Sequence, residues 1–310
     1  MSKGRFLKTP KQDNRKFGGR KPYSVIIFCH NRSELLEQCI LSVINANNFK
    51  DWNFIVVQQI FNSEVDKVLN KYDKEIDLLL RFPDIGHGVL GNINYGRLLG
   101  TSCGFELFSS DLVLGIEEDT QISKDALAFI NHQYNLRFKD PRFRGINLCS
   151  CIPYSIENRD SYSLLRFGIS GQAGALTSKT WGKFSLSKLL SDIGDEEWAS
   201  RMEPLLKTGY MVHPNNSRLF DQGWAGYSSP FSKETDDSFS RQHLSWVNHY
   251  VTDDAKYIHK DQLGVWRKDA IIYKRAHNIY FYLRRFQSFI FFYRFWKFIK
   301  LPLVKDYLER

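Results

Sequence analysis

Apolar residues along this chain gather into short blocks of two kinds. Three blocks are continuous: Tyr23-Ser24-Val25-Ile26-Ile27-Phe28-Cys29, Phe54-Ile55-Val56-Val57 and Leu112-Val113-Leu114-Gly115-Ile116. Runs of this length without polar alternation suit strands buried on both faces, as in a parallel sheet. After the first block the spacing changes. Leu35, Leu36, Cys39, Ile40 and Val43 predict a helix over 34–44, with Asn31, Arg32 and Ser33 as its loop and N-cap. The second block starts about 30 residues after the first, the length of a βαβ unit, whose crossover is nearly always right-handed.

The alternation continues. Helices are predicted over 64–72, 92–106 and 123–134, with a weak strand at 76–80 and a glycine-containing loop at 86–91. In the second half, 146–152 reads as a strand, with Cys149 and Cys151 inside it, and 168–177 as a glycine-rich loop able to wrap a ligand. A helix follows over 195–207, then a short strand, Tyr210-Met211-Val212-His213-Pro214, stopped by its proline. Residues 215–260 are polar and loop-rich, and no internal repeat is visible. Strands alternating with helices predict an α/β sheet flanked by helices, with ligands collected at the carboxyl ends of the strands.

Composition narrows the class. The chain has 310 residues, 43% hydrophobic and 25% charged, as in a soluble globular protein. A net charge of +9 points to anionic partners: nucleotides, nucleic acid or acidic lipid headgroups. Five cysteines, an odd number, argue against a disulfide framework and for a reducing, cytoplasmic setting. The first 22 residues form a basic tail without the apolar core of a secretory signal, and no apolar run is long enough to span a bilayer. Residues 271–301 interleave Phe, Tyr and Trp with Arg284, Arg285, Arg294, Lys297 and Lys300. Such a segment suits either a peripheral contact with an anionic membrane surface or packing on the catalytic domain or a dimer partner.

The third apolar block ends in Glu117, Glu118 and Asp119. Three adjacent carboxylates at the tip of a buried strand repel one another and resist leaving water. A hard divalent cation, Mn²⁺ or Mg²⁺, relieves that cost and can also grip a diphosphate. The competing reading is a strand-to-helix turn whose acids serve the next helix, with Asp119 or Ser123 as N-cap. Arg32, at another strand tip, has the planar fork that pairs with phosphate, or it forms a surface salt bridge.

Together these segments resemble a GT-A fold, nucleotide-sugar-dependent glycosyltransferase, between the large family 2 and the N-acetylglucosaminyltransferase I family (family 13). The opening strand with Asn31-Arg32 is similar to family 2, and Cys29-His30-Asn31-Arg32-Ser33 to the start of family 13. Ile116 to Ser123 resembles the family 13 Glu-Asp-Asp segment, a variant of the DXD motif. Gly171 to Trp181 resembles the loop between donor and acceptor sites. Asp195-Glu196-Glu197-Trp198 resembles an acidic pair whose second member is the catalytic base, and Pro214 to Arg218 the Pro-x-x-Ser-Arg segment. Where family 2 has an Asp-rich turn for uracil, this chain has Gln58, Gln59 and Asn62.

The resemblance implies a Rossmann-like mixed sheet with a C-terminal helical, aromatic extension. Residues 23–120 would bind nucleotide, 121–230 the acceptor, and 231–310 would form the extension. The implied activity is metal-dependent, inverting transfer of a sugar from a nucleoside-diphosphate donor, UDP-linked in the simplest case, to a glycan or lipid-linked acceptor. Surface polysaccharide assembly would suit such an enzyme. Asp119 is the expected metal ligand, assisted by Glu117 or Glu118, with His213 able to complete the shell, and Mn²⁺ or Mg²⁺ the cofactor. Arg32, Asn31, Gln58, Asn92, Glu117, Glu118 and Arg218 are expected around the nucleotide, with His87 nearby. Glu197 is the expected general base and Glu196 its alternative; being consecutive on a helix, they point about 100° apart, so only one faces the sugar. A nucleotidylyltransferase shares this chemistry but needs a glycine-rich phosphate loop after the first strand, where this chain has Cys-His-Asn-Arg. Nucleic-acid binding is suggested by charge alone, and no nucleic-acid motif accompanies it.

Overall fold

The computed structural model describes residues 21–149, 162–165, 173–185, 189–190, 193, 208–214 and 217–222. Strands β1 (Tyr23–Cys29), β2 (Trp52–Gln59), β3 (Leu78–Phe82) and β4 (Leu112–Glu117) run parallel in the order β3-β2-β1-β4. Their register sets Cys29 opposite Gln58 and Phe28 opposite Glu117, so the tips of β1, β2 and β4 form one edge. Beyond β4 the sheet becomes mixed. A strand at Ala173–Thr177 (β8) lies antiparallel to β4, followed by β6 (Phe143–Asn147), β9 (Tyr210–Pro214) and β7 (Tyr162–Leu165), eight strands in all. A separate antiparallel ribbon joins β5 (Thr120–Ile122) to β10 (Leu219–Asp221).

Side chains alternate across the strands, and each face receives its own helices. Val25 and Ile27 belong to a core with Leu36 and Ile40 of α1 (Ser33–Ile44), Val65 and Leu69 of α2 (Ser63–Lys71), and Leu127 and Ile130 of α4 (Ala126–Arg137). Ile26, Ile55 and Val57 belong to the opposite core, with Leu98 of α3 (Gly88–Ser102) and Trp181 of α5 (Ser178–Trp181). The expected α/β sheet between helical layers is therefore present. Among the described residues, no helix is long and apolar enough to cross a membrane.

Four elements differ from the sequence reading. The helix expected from 92 begins at Gly88 and passes into a π-helical turn, Cys103–Leu107. The helix therefore takes in residues 88–91 of the expected loop, and two glycines further along pack closely: a Cβ on Gly100 would stand 2.9 Å from Ile26 Cγ2 and from Val57 Cγ2, and one on Gly104 2.7 Å from Val113 Cγ2. The helix expected from 123 begins at Ala126, because 120–122 are taken by β5. Pairing with a strand 97 residues or more away leaves no local periodicity to read. The glycine-rich loop at 168–177 is, over 173–177, a fully buried central strand. In this strand Gly174 stands opposite Gly115 of β4 and Asn147 of β6. Finally, the strand expected at 146–152 is β6, Phe143–Asn147, and Cys149 follows it half-buried. The basic tail up to residue 20, the helix at 195–207 and the C-terminal aromatic segment lie outside the described residues.

Candidate active site at the carboxyl edge of the sheet

The tips of β1 and β4 meet around three acids. Glu118 N donates to Phe28 O at 3.0 Å, which continues the β1–β4 ladder into the acid turn. Its carboxylate turns toward the loop after β1. His30 N donates to Glu118 Oε2 at 2.8 Å, and Arg32 Nε donates to Glu118 Oε1 at 2.8 Å. The same guanidinium reaches further, with Arg32 Nη1 at 2.7 Å from Asp119 Oδ2. The Glu118 and Asp119 side chains are 3% and 8% exposed, whereas Arg32 is 36% exposed. Burial works against the charge on Arg32, but Asp119 and Glu118 outweigh it, and the guanidinium pKa is raised.

Glu117 faces the other way, toward α3, where Arg97 Nη2 pairs with its Oε1. Arg97 is buried and stands 5.9 Å from the Phe28 ring centroid. Beneath the turn, Cys39 Sγ donates to Glu117 O at 3.6 Å. Burial, then Asp119 and Glu118, hold that thiol well above its ordinary pKa, so it is a neutral donor at physiological pH. Three carboxylates thus meet two guanidiniums, leaving one negative charge.

Asp119 is fixed by its backbone as well, since Gln222 N donates to Asp119 O at 2.8 Å beside the β5–β10 ribbon. Its Oδ1 is buried, and among the described residues no donor reaches it. The N-cap of α4 is Asp125, so Asp119 does not cap that helix. A buried carboxylate oxygen without a hydrogen bond is costly and calls for a cation or a donor. That orphaned atom fits a divalent metal held by one or two carboxylates and diphosphate oxygens. Among the described residues, no group of three His, Cys, Asp or Glu side chains converges on one point.

The other expected residues distribute as follows. Gln58, at the tip of β2, is buried and accepts from Arg81 Nε at 2.8 Å, and Arg81 Nη2 pairs with Asp66 Oδ1 at 3.0 Å. Asn31 is exposed beside Arg32, and His87 is exposed on the loop after β3. Asn92 accepts from Ile85 N at 3.0 Å and donates to Asp84 Oδ1 at 2.9 Å, so it ties down that loop. His213 is buried on β9 and lies 3.1 Å from Asn147 Nδ2 through its Nε2. Three strand spacings separate β9 from β4, roughly 14 Å, so the structure does not bring His213 to the acids. Arg218 is fully buried and pairs with Asp125. Glu196 and Glu197 lie outside the described residues. Arg97 and the His30 amide were missed by sequence reasoning. A lone cation on a glycine-spaced buried helix is a signal that could have found Arg97; a backbone donor leaves none.

Arg32, Gln58 and the acid turn all fall within one continuous stretch. Residues 24–130 match the family model for Glycosyl transferase family 2. The match runs from β1 into α4 and leaves Glu196, Glu197, His213 and Arg218 outside it. No curated protein matches the chain. Among solved structures, S. aureus TarS 1-349 is similar at 11% identity, with 76% of this chain and 67% of that one covered and a TM-score of 0.47. The mannosyltransferase PcManGT from Pyrobaculum calidifontis, in complex with GDP-Man and Mn²⁺, is similar at 14% identity, with 64% and 58% covered and a TM-score of 0.41. S. aureus TarS 1-349 in complex with UDP-GlcNAc gives 12% identity, 64% and 57% covered, and a TM-score of 0.44. This chain spans 57% to 67% of the length of these three.

Proposed function

We propose that this protein is a metal-dependent inverting glycosyltransferase that transfers a sugar from a nucleoside-diphosphate donor to a glycan or lipid-linked acceptor. One observation carries the reading: within a stretch matching glycosyltransferase family 2, the tips of two parallel strands hold Arg32 against a buried acid pair. An edge built this way takes anionic ligands at the carboxyl ends of the strands.

Asp119 would hold Mn²⁺ or Mg²⁺ through Oδ1, with Glu118 beside it, and the chemistry the cation supplies when bound is charge neutralisation on the leaving diphosphate. Arg32 pairs with a diphosphate oxygen through its fork. Around the base of a uridine donor would stand the tip of β2, where buried Gln58 holds Arg81, together with Asn31 and the loop that Asn92 ties down. Glu118 would lie near the ribose and diphosphate, and Glu117, paired with Arg97, would border the nucleotide. Glu197, or Glu196 in its place, takes the proton from the acceptor hydroxyl, and the likeness to family 13 is what assigns that role. Alignment of donor and acceptor supplies the remaining rate advantage. The basic, aromatic C-terminal segment suits a cytoplasmic enzyme held peripherally on an anionic leaflet, close to the lipid-linked intermediates of surface polysaccharide assembly.

The test is donor hydrolysis across UDP- and GDP-sugars, with Mn²⁺ or with a chelator. Turnover of at least one donor is expected with Mn²⁺, and an Asp119→Asn protein of unchanged melting temperature should lose about 100-fold or more. Equal turnover by Asp119→Asn, or in chelator, would remove the mechanism.

A further inference from the structure

We infer that Arg32 is a built-in counter-cation that the metal has to displace, so that metal binding is coupled to arrival of the diphosphate. This rests on the preceding reading, that the acid turn accepts a metal together with a diphosphate.

Two nearly buried carboxylates share one guanidinium, at 2.8 Å and 2.7 Å. Buried carboxylates stay ionised only when a cation or a set of donors compensates them. Of their four oxygens, Glu118 Oε1 and Asp119 Oδ2 are held by Arg32 and Glu118 Oε2 by the His30 amide, while Asp119 Oδ1 has no donor among the described residues. A divalent ion drawn to Oδ1 would come within a few ångströms of the guanidinium, and two cations at that range repel each other strongly in a partly buried site. Arg32 can yield. Its side chain is 36% exposed and makes no capping bond to α1, while its backbone is pinned by Leu36 N donating to Arg32 O at 2.9 Å. The arm can therefore swing without disturbing the helix.

A diphosphate gives the released guanidinium a new anionic partner suited to its planar fork. Metal alone must strip Arg32 from the acids without recompense. Metal with diphosphate exchanges one set of charge-assisted bonds for another. The outcome is positive coupling between the two ligands, and such coupling is reciprocal.

The experiment titrates Mn²⁺ into the full chain, following the free Mn²⁺ paramagnetic signal, with and without uridine diphosphate, and corrects for the complex those two form in solution. Wild type should bind Mn²⁺ weakly alone and about tenfold or more tightly with uridine diphosphate, within the usual span of site-to-site coupling. Arg32→Gln should bind Mn²⁺ alone about tenfold more tightly than wild type, with the coupling to uridine diphosphate correspondingly reduced. Arg32→Lys, a point charge unable to bridge both carboxylates, should fall between them. Adding Asp119→Asn to Arg32→Gln should abolish the gained site. Unchanged or weaker Mn²⁺ binding by a folded Arg32→Gln protein overturns the inference while leaving the proposed function standing. If Arg32→Gln fails to fold, wild-type affinity for Mn²⁺ that uridine diphosphate does not improve overturns it instead. A wild-type protein that binds neither ligand in any combination defeats both readings.

Discussion

Arg218 Nε donates to Asp125 Oδ2 at 3.0 Å, with the two side chains 1% and 4% exposed. The guanidinium also stands 4.2 Å from the Phe129 ring centroid, and Ser123 Oγ donates to the other oxygen of Asp125 at 2.5 Å. The Arg218 backbone is held at both ends: its N donates to Leu148 O at 2.7 Å, and its O accepts from Ser123 N at 2.9 Å. This cluster fastens the β10 segment to the start of α4, and four residues later Gln222 grips the Asp119 carbonyl. Arg218 thus anchors the segment that reaches the acid turn. Removing one partner of a buried ion pair leaves the other uncompensated, which costs about 3–5 kcal/mol. Arg218→Met and Asp125→Ala should each lower stability by that amount. The double variant should lose clearly less than the sum, because no buried charge is stranded. Urea denaturation of the four proteins checks the cycle, and strict additivity would show that the pair is not coupled.

Two glycines make a contrasting pair. A Cβ on Gly145, in β6, would lie 2.0 Å from the backbone oxygen of Ala175 on β8. Backbone in a central sheet cannot retreat, so Gly145→Ala should cost at least the roughly 1–3 kcal/mol typical of overpacked cores. Gly86 has open space around it but sits at φ +79°. Gly86→Ala is expected to lose only about 1–2 kcal/mol, from the left-handed backbone alone. Denaturation midpoints give the order directly, and a Gly86→Ala protein less stable than Gly145→Ala would contradict it.

Much of this architecture was legible in the sequence, and what was missed shares a cause. β1 was readable to the residue, because a buried parallel strand needs an unbroken apolar run and Tyr23 to Cys29 supply one. The acid turn stood out because three carboxylates directly follow such a run. Arg32 was found from its place at a strand tip, but its grip on Glu118 and Asp119 spans 86 and 87 residues and leaves no local trace. The same holds for β5, defined by its partner Leu219–Asp221, and for Arg97, which meets Glu117 only once α3 is packed on the sheet. Gly174 was misread because glycines at 168, 171 and 174 suggest a flexible loop, yet Gly174 lies in β8 and pairs with Gly115 and Asn147 on strands far away in sequence.

Asp140 supplies an acid-side pH dependence distant from the site. Arg142 donates to it from Nη2 at 3.0 Å and from its backbone N at 2.8 Å, and Tyr210 Oη donates at 3.0 Å. The Arg142 guanidinium, opposed by partial burial and aided by the backbone and tyrosine bonds, lowers the carboxyl pKa to about 2. An unfolded aspartate takes its proton near pH ~3.9, so between that value and the native one the unfolded chain binds more protons. The contribution is therefore complete above about pH 4 and is lost as the pH falls through about 2. Because the Arg142 side chain is 63% exposed, solvent screening holds the net gain to about 1 kcal/mol or less. Asp140→Asn cannot ionise and should be less stable than wild type at pH 6, with the gap closing toward pH 2. Urea midpoints measured at intervals across that range check it. A gap that stays constant as the pH falls would mean that the ionised carboxylate contributes nothing beyond the hydrogen bonds that asparagine retains.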